Sequence, residues 1–215
     1  PPGCMTMHVL ITAGGTREYI DPVRFISNAS SGKMGYALAR AALRAGHRVT
    51  LITAPVALKP PVAAEVVPVE SAAQMFEAVK KHFTSCDCLI MAAAVADYTP
   101  AEPAEHKIKK TAAQLTLTLK PTADILRWAG RNKRPHQIVV GFALEDTDLR
   151  DCAEKKLRSK SLDMIVANEP AAIGVRTSTV HVRAAGREWI EIPHSAKQTI
   201  ARRIISQIET MRENN

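Results

Sequence analysis

What most constrains this chain is an alternation repeated along its length. Short apolar, β-rich runs are each followed by a segment whose apolar residues recur at helical spacing. HVLITA (His8–Ala13) is nearly all apolar and ends in Gly14-Gly15, which reads as a buried first strand, central in a sheet, followed by a tight turn. In GYALARAALRAG, Ala37, Leu38, Ala41 and Ala42 fall on one helical face. Gly46 supplies the C-terminal stop, and HRVTLIT returns as a second strand.

The unit recurs. Residues 71–83 form an amphipathic helix opened by a Ser71/Gln74 capping box, and CLIMAAA follows as a buried strand. A helix over 124–130, the strand QIVVGFA, a helix over 148–160 and the strand MIVA extend the series. The predicted fold class is therefore α/β, a doubly wound, Rossmann-like and mostly parallel sheet. Two stretches break the pattern. LTLTL at 115–119 alternates strictly, as does STVHV before the turn at Gly186 and WIEI after it, which predicts a small peripheral antiparallel element. A final helix opens at SAKQ, read as another capping box, and buries Ile200, Ile204, Ile205 and Ile208. The expected organisation is one domain over 8–215, with 1–7 as a disordered segment or linker remnant.

Composition narrows the function classes. With 215 residues, 46% of them hydrophobic, the chain can bury a full core. No apolar run reaches membrane-spanning length and PPGCMTM lacks the regions of a signal peptide, so a cytoplasmic protein without a membrane partner is expected. Cys4, Cys86, Cys88 and Cys152 show no C-x-x-C spacing, which predicts reduced thiols and no protein-held metal. The excess of 29 Lys+Arg over 21 Asp+Glu gives +8, a field that attracts anions. Only 4% of residues are aromatic and the basic residues are dispersed, which argues against nucleic acid and for small phosphorylated metabolites.

Two familiar nucleotide-binding signatures fail. A dinucleotide oxidoreductase needs G-x-G-x-x-G after the first strand and an acid closing the second; no G-x-G occurs, and the second strand ends Ile52-Thr53-Ala54-Pro55. No tyrosine is followed four residues later by lysine, so the short-chain dehydrogenase pair is missing as well. In SNASSGKMG, residues 27–35, a P-loop would need glycine at Ser27 and a hydroxyl residue at Met34. Ser30, Ser31, Gly32 and Lys33 still lead into a helix and would offer N–H groups, hydroxyls and a positive helix end to an anion. A plain N-cap is the other reading.

Three further segments carry chemistry. MAAAVADYTP lies at the carboxyl end of a predicted strand, where open α/β sheets bind ligands. There small residues let a base approach the backbone, and Asp97 suits a ribose hydroxyl, or else caps a turn. KIKK, from Lys107, is either a solvated patch or a loop that closes over a triphosphate. Lys156 and Lys160 stand at i, i+4 on one helix face, solvated or turned to the same phosphates.

In order and spacing, TAGGTREYIDPVRFISNASSGKMG, MAAAVADYTP, KIKK, PTADIL, VVGFALE, the K-x-x-x-K helix and IVAN resemble phosphopantothenoylcysteine synthetase over nearly the whole chain. The resemblance implies ligation of 4'-phosphopantothenate to cysteine in coenzyme A biosynthesis, in bacterial members through an acyl-cytidylate made from CTP, with Mg2+ on the triphosphate and a homodimeric protein. It implies that Asn28 acts on the acyl-nucleotide intermediate and Lys107 on its formation. Asp97 would bind ribose, Ala92 and Ala93 the base. Ala123, Asp124, Ile125 and Phe142 would wall the base pocket, and Lys156 and Lys160 hold the triphosphate. Gly14, Gly15, Thr16, Asn28 and Ser30 to Lys33 would hold the phosphopantothenate side, with Arg24 adding a phosphate contact across the dimer.

The sequence departs from that pattern in places. Ala123 and Gly15 stand where members commonly carry proline, and AAIGVRTSTV replaces an aromatic, Asn-containing segment. The decarboxylase often fused ahead of bacterial members is not in this sequence, which is read as a standalone synthetase or one domain of a fusion. A non-catalytic nucleotide-binding regulatory domain of the same fold is the alternative.

Overall fold

The computed structural model describes residues 6–169 and 177–213. β1 (His8–Ala13) is buried at every position because helices cover both faces of a central parallel strand. Its polar side chains are satisfied internally. The His8 ring bonds the Ser85 carbonyl and the Thr50 hydroxyl, and Thr12 Oγ1 accepts from the Ala93 N–H. Met7, just before the strand, is already buried.

The chain leaves β1 through Gly14, whose φ of 83° suits glycine, into an antiparallel hairpin of β2 (Arg17–Asp21) and β3 (Arg24–Ser27). α1 (Lys33–Arg44) then packs on β1; a Cβ on Gly35 would come 2.6 Å from that of Ala13, so the close approach requires glycine. β4 (Arg48–Thr53) pairs parallel with β1, and β5 (Glu65–Pro68) with β4. α2 (Ala72–Phe83) begins with the predicted capping box, and buried Glu18 of β2 accepts its Ala72 N–H. β6 (Cys88–Met91) returns to pair with the other side of β1. After β7 (Tyr98–Pro100) and β8 (Leu119–Pro121), a second small antiparallel pair, come α3 (Ile125–Asn132), β9 (Ile138–Leu144), α4 (Leu149–Ser159) and β10 (Met164–Asn168). The antiparallel strands β11 (Thr177–Ala184) and β12 (Ile190–Ala196) lead into α5 (Lys197–Glu213).

The main sheet has the order β12-β11-β10-β9-β6-β1-β4-β5, parallel from β10 to β5. α1 and α5 seal one apolar cluster against one face; α2, α3 and α4 seal another against the opposite face. This is the predicted doubly wound, mostly parallel sheet. From β1 the chain runs outward through β4 and β5, then crosses back to β6. The strand order reverses between β1 and β6, and the loops leaving their carboxyl ends diverge into a crevice.

The structure differs from the sequence reading in three elements. Of LTLTL only Leu119 enters a strand: the partner β7 is three residues long, and Leu115, Leu117 and Leu119 stay exposed, with no core beneath to extend the pairing. The strand expected over 88–94 stops at Met91, where pairing with β9 ends and the chain turns into the crevice. SAKQ is not a capping box. Ser195 belongs to β12, and its hydroxyl donates to the Pro193 carbonyl. The segment 170–176, which holds most of AAIGVRTSTV, lies outside the described residues.

Candidate functional site

The crevice is braced by backbone. The Gly14 carbonyl accepts from Ala94 N at 2.8 Å, Thr16 N donates to the Ala94 carbonyl, and the fully buried Thr16 hydroxyl accepts from Ala96 N. Gly14, Gly15 and Thr16 thus tie the β1 and β6 loops together and do not line the open space. Gly15 has a second role, since a Cβ there would fall 2.7 Å from the Asn28 carbonyl oxygen. The gap lets Asn28 approach, and its side-chain amide donates to the carbonyls of Ala94 and Val95 at 3.3 and 3.1 Å.

Above this brace opens a cavity of about 770 Å³. One wall is Asn28 and the turn into α1. The cap residue of α1 is Gly32, φ 70°, with no side-chain cap, and the first turn has no acid. Ser30 accepts the Gly32 N–H at 3.4 Å, short of a true N-cap. Ser30, Ser31, Gly32 and Lys33 all face the cavity with the positive end of a 12-residue helix.

The opposite wall gathers Ala92, Ala93 and Asp97 after β6, Ala123, Asp124 and Ile125 at the start of α3, Phe142 of β9, and Lys156 and Lys160. Lys156 Nζ donates to the Phe142 carbonyl at 2.8 Å; Lys160 pairs with Asp124 at 2.9 Å. Burial, then the neighbouring Lys160 ammonium, push Lys156 below the ordinary lysine range, while Glu145, Asp124 and Asp97 draw it partly back. For Asp124, burial opposes the ionised form. The Arg127 N–H and Lys160 together outweigh it and hold the carboxyl below its usual value. Each cation on this wall therefore sits among carboxylates.

Besides Gly14, Gly15 and Thr16, two predicted residues are not brought into the cavity. Lys107 is exposed on the connection between β7 and β8. That segment hangs on the β2–β3 hairpin: Ala104 N donates to the Ile20 carbonyl, Ile108 N to Asp21, and Arg24 to the Ile108 carbonyl. Arg24 is engaged there and with Asp21.

Other cavity residues went unread in the sequence. Lys197, Ser178, Asn168, Glu145 and Thr122 all contribute to the lining. A signal for Lys197 did exist, because a cation in the first turn of a helix opposes the helix dipole. Thr122, Glu145 and Asn168 fall within PTADIL, VVGFALE and IVAN, segments that assigned them no role, and Ser178 carries no local pattern.

The family model described as the DNA/pantothenate metabolism flavoprotein C-terminal domain matches residues 4–211. A coenzyme A biosynthesis bifunctional protein CoaBC of Bacillus subtilis (strain 168) is 47% identical over 95% of this chain and 51% of its own length. One from Vibrio vulnificus (strain CMCP6) is 41% identical over 94% and 52%. The chain thus spans about half the length of these curated relatives. A crystal structure of the C-terminal domain of a CoaBC protein superposes with TM-score 0.86 at 43% identity, covering 99% of both chains. The family model spans nearly the whole chain and the superposition covers 99% of it, and the chain belongs to the family of the DNA/pantothenate metabolism flavoprotein C-terminal domain.

Proposed function

We propose that this domain ligates 4'-phosphopantothenate to cysteine, forming an acyl-cytidylate intermediate and cleaving CTP to CMP and pyrophosphate. The observation that carries the reading is the shared cavity. Asn28 from the β1–α1 connection and Asp97, Lys156 and Lys160 from the opposite wall face one space at the point where strand order reverses. The relatives from Bacillus subtilis and Vibrio vulnificus are named for coenzyme A biosynthesis, which supports the pathway.

In this reading the substrate carboxylate attacks the α-phosphorus of CTP. A carboxyl–phosphate bond forms as the bond to the leaving pyrophosphate breaks; the cysteine amine then attacks the acyl carbon, releases a proton, and CMP departs. Lys156 and Lys160 neutralise the triphosphate, and the Asn28 amide, on giving up its bond to the Ala94 or Val95 carbonyl, donates to the acyl oxygen as it gains charge. Lys107 joins when the segment carrying it closes over the phosphates. Mg2+ carried in with the triphosphate, and not by a protein cage, would offset part of its charge. The described residues contain no group of three or more His, Cys, Asp or Glu side chains placed to hold a metal.

The N–H groups of Ala92 and Ala93 are committed to the Ile90 carbonyl and the Thr12 hydroxyl. Reading a base here falls to carbonyl oxygens, which accept from the exocyclic amine of cytosine and repel the keto oxygen of uracil. The choice of CTP over ATP rests on the family resemblance.

The test is pyrophosphate release with phosphopantothenate and Mg2+, comparing CTP, ATP and UTP with and without cysteine. Release that requires phosphopantothenate, with CTP preferred and UTP poor, is the expected result. Nucleotide binding without release under any combination would replace the ligase with a regulatory domain.

A further inference from the structure

Asp97 lines the cavity with an exposed side chain, so the aim of its carboxylate depends on its backbone. It follows the loop after β6 and immediately precedes β7, between the brace under the cavity and the small β7–β8 pair. Two threonines from distant parts of the chain hold the backbone around it. The buried Thr16 hydroxyl accepts the Ala96 N–H at 2.9 Å. From the other side, the half-buried Thr122 grips two consecutive carbonyls. Its hydroxyl donates to that of Ala96 at 2.6 Å, and its N–H donates to that of Asp97 at 2.9 Å.

The two bonds from Thr122 differ in what they require. The N–H bond extends the β7–β8 pairing one residue beyond Tyr98 and Pro121, and any residue except proline can supply it. The second bond needs a side-chain hydroxyl. Ala96 is only 5% exposed, so without this donor its carbonyl stays paired only if the peptide turns toward another. Turning the peptide between Ala96 and Asp97 changes φ at Asp97, and with it the direction in which the side chain leaves the backbone. The carboxylate then swings away from its place on the wall.

A carboxylate beyond the end of a parallel strand, where strand order reverses, suits a sugar, because its two oxygens can accept from both hydroxyls of a vicinal diol. We propose that Thr122 is a positioning residue that acts through Asp97 to make the cavity prefer a ribonucleotide over a nucleotide lacking the sugar hydroxyls. The inference rests on the nucleotide side of the ligase reading. A carboxylate aimed in advance meets the diol without first being ordered, so the preference depends on the Thr122 hydroxyl as well as on Asp97.

The test is calorimetric titration of the protein with CTP and with 2',3'-dideoxy-CTP, each with Mg2+. The wild-type chain is expected to prefer CTP by about tenfold or more, the size of one hydrogen bond to a charged group. Thr122→Val keeps the side chain's shape and the backbone N–H. It should cut the preference to about two- to threefold and leave dideoxy-CTP affinity unchanged, which also reports that the variant is folded. Thr122→Ser should keep the preference. Asp97→Ala should abolish it, and adding Thr122→Val to Asp97→Ala should change nothing further, because a positioning residue has no effect once the group it positions is gone. Full preference in Thr122→Val, equal weakening toward both nucleotides, a further loss in the double variant, or no preference in the wild-type chain would each overturn the proposal. Pyrophosphate release with phosphopantothenate on the same samples separates the two readings. A preference that follows Thr122 without release removes the ligase and leaves the positioning role standing; release with a preference indifferent to Thr122 removes the positioning role alone.

Discussion

The side-chain amide of Asn28 lies 3.1 Å from the carbonyl oxygen of Val95, so the β1–α1 connection is pinned to the loop after β6 by a donor that an aspartate could not supply. Asn28→Asp would set a carboxylate against two carbonyls and remove the donor. We expect product formation to fall about 10²–10³-fold. First-turnover pyrophosphate release should survive, because in the proposed mechanism the acyl-nucleotide forms before Asn28 acts. Rapid-quench measurement of pyrophosphate and product separates the steps; equal loss in both would remove Asn28 from the second one.

Lys107 stands outside the cavity in an exposed segment. The role proposed for it in acyl-nucleotide formation requires closure of that segment, so Lys107→Ala should lower turnover by about two to three orders of magnitude. CTP binding should weaken far less. Steady-state kinetics beside equilibrium CTP titration checks both, and near-normal turnover would withdraw the assignment.

Asp21 ties this segment to the hairpin, accepting the N–H groups of Val23, Arg24 and Ile108. Burial raises its pKa, but those N–H groups, with Arg24, outweigh it and hold the carboxyl below the usual 3.8. A depressed folded-state pKa contributes stability that is present above pH 3.8 and lost as pH falls through the lower folded value. Hydrogen-exchange protection of the Ile108 amide should therefore drop in acid below that point. Asp21→Asn should reproduce the loss at neutral pH, seen as faster tryptic cleavage at Lys107, Lys109 and Lys110.

Gly130 of α3 packs directly on the turn after α4: a Cβ would fall 1.8 Å from the Lys160 carbonyl oxygen. Backbone meets backbone at this point, so relief requires moving a helix. Gly130→Ala should destabilise the domain by about 3 kcal/mol or more, a thermal midpoint lower by roughly 6–12 °C. Calorimetry measures this, and a shift below about 2 °C would refute the rigid contact.

Cys86 and Cys88 are buried, and burial pushes the Cys86 thiol up to about 12. Burial likewise raises Cys88 well above the ordinary thiol range. Both should resist iodoacetamide in the native protein at neutral pH and react only in denaturant, as peptide mass mapping would show.

Much of this fold is legible in the chain because its causes are local. The capping box at Ser71 and Gln74, the apolar stripe of α1 and the unbroken apolar run of β1 each follow from neighbouring residues, and together they determined the parallel, doubly wound architecture. Motif spacing also picked out most of the cavity walls, from Ser30–Lys33 to Lys156 and Lys160. Tertiary structure alone decided which of these residues meet. Asn28 and Val95 are 67 residues apart in sequence, and their contact depends on Gly15 leaving room and on β1 and β6 lying side by side. It also set Gly14 and Thr16 to bracing, left Lys107 outside, and placed Lys197 and Ser178 inside, because strand order and helix packing determine which ends of the elements share a space, and no local pattern encodes that adjacency.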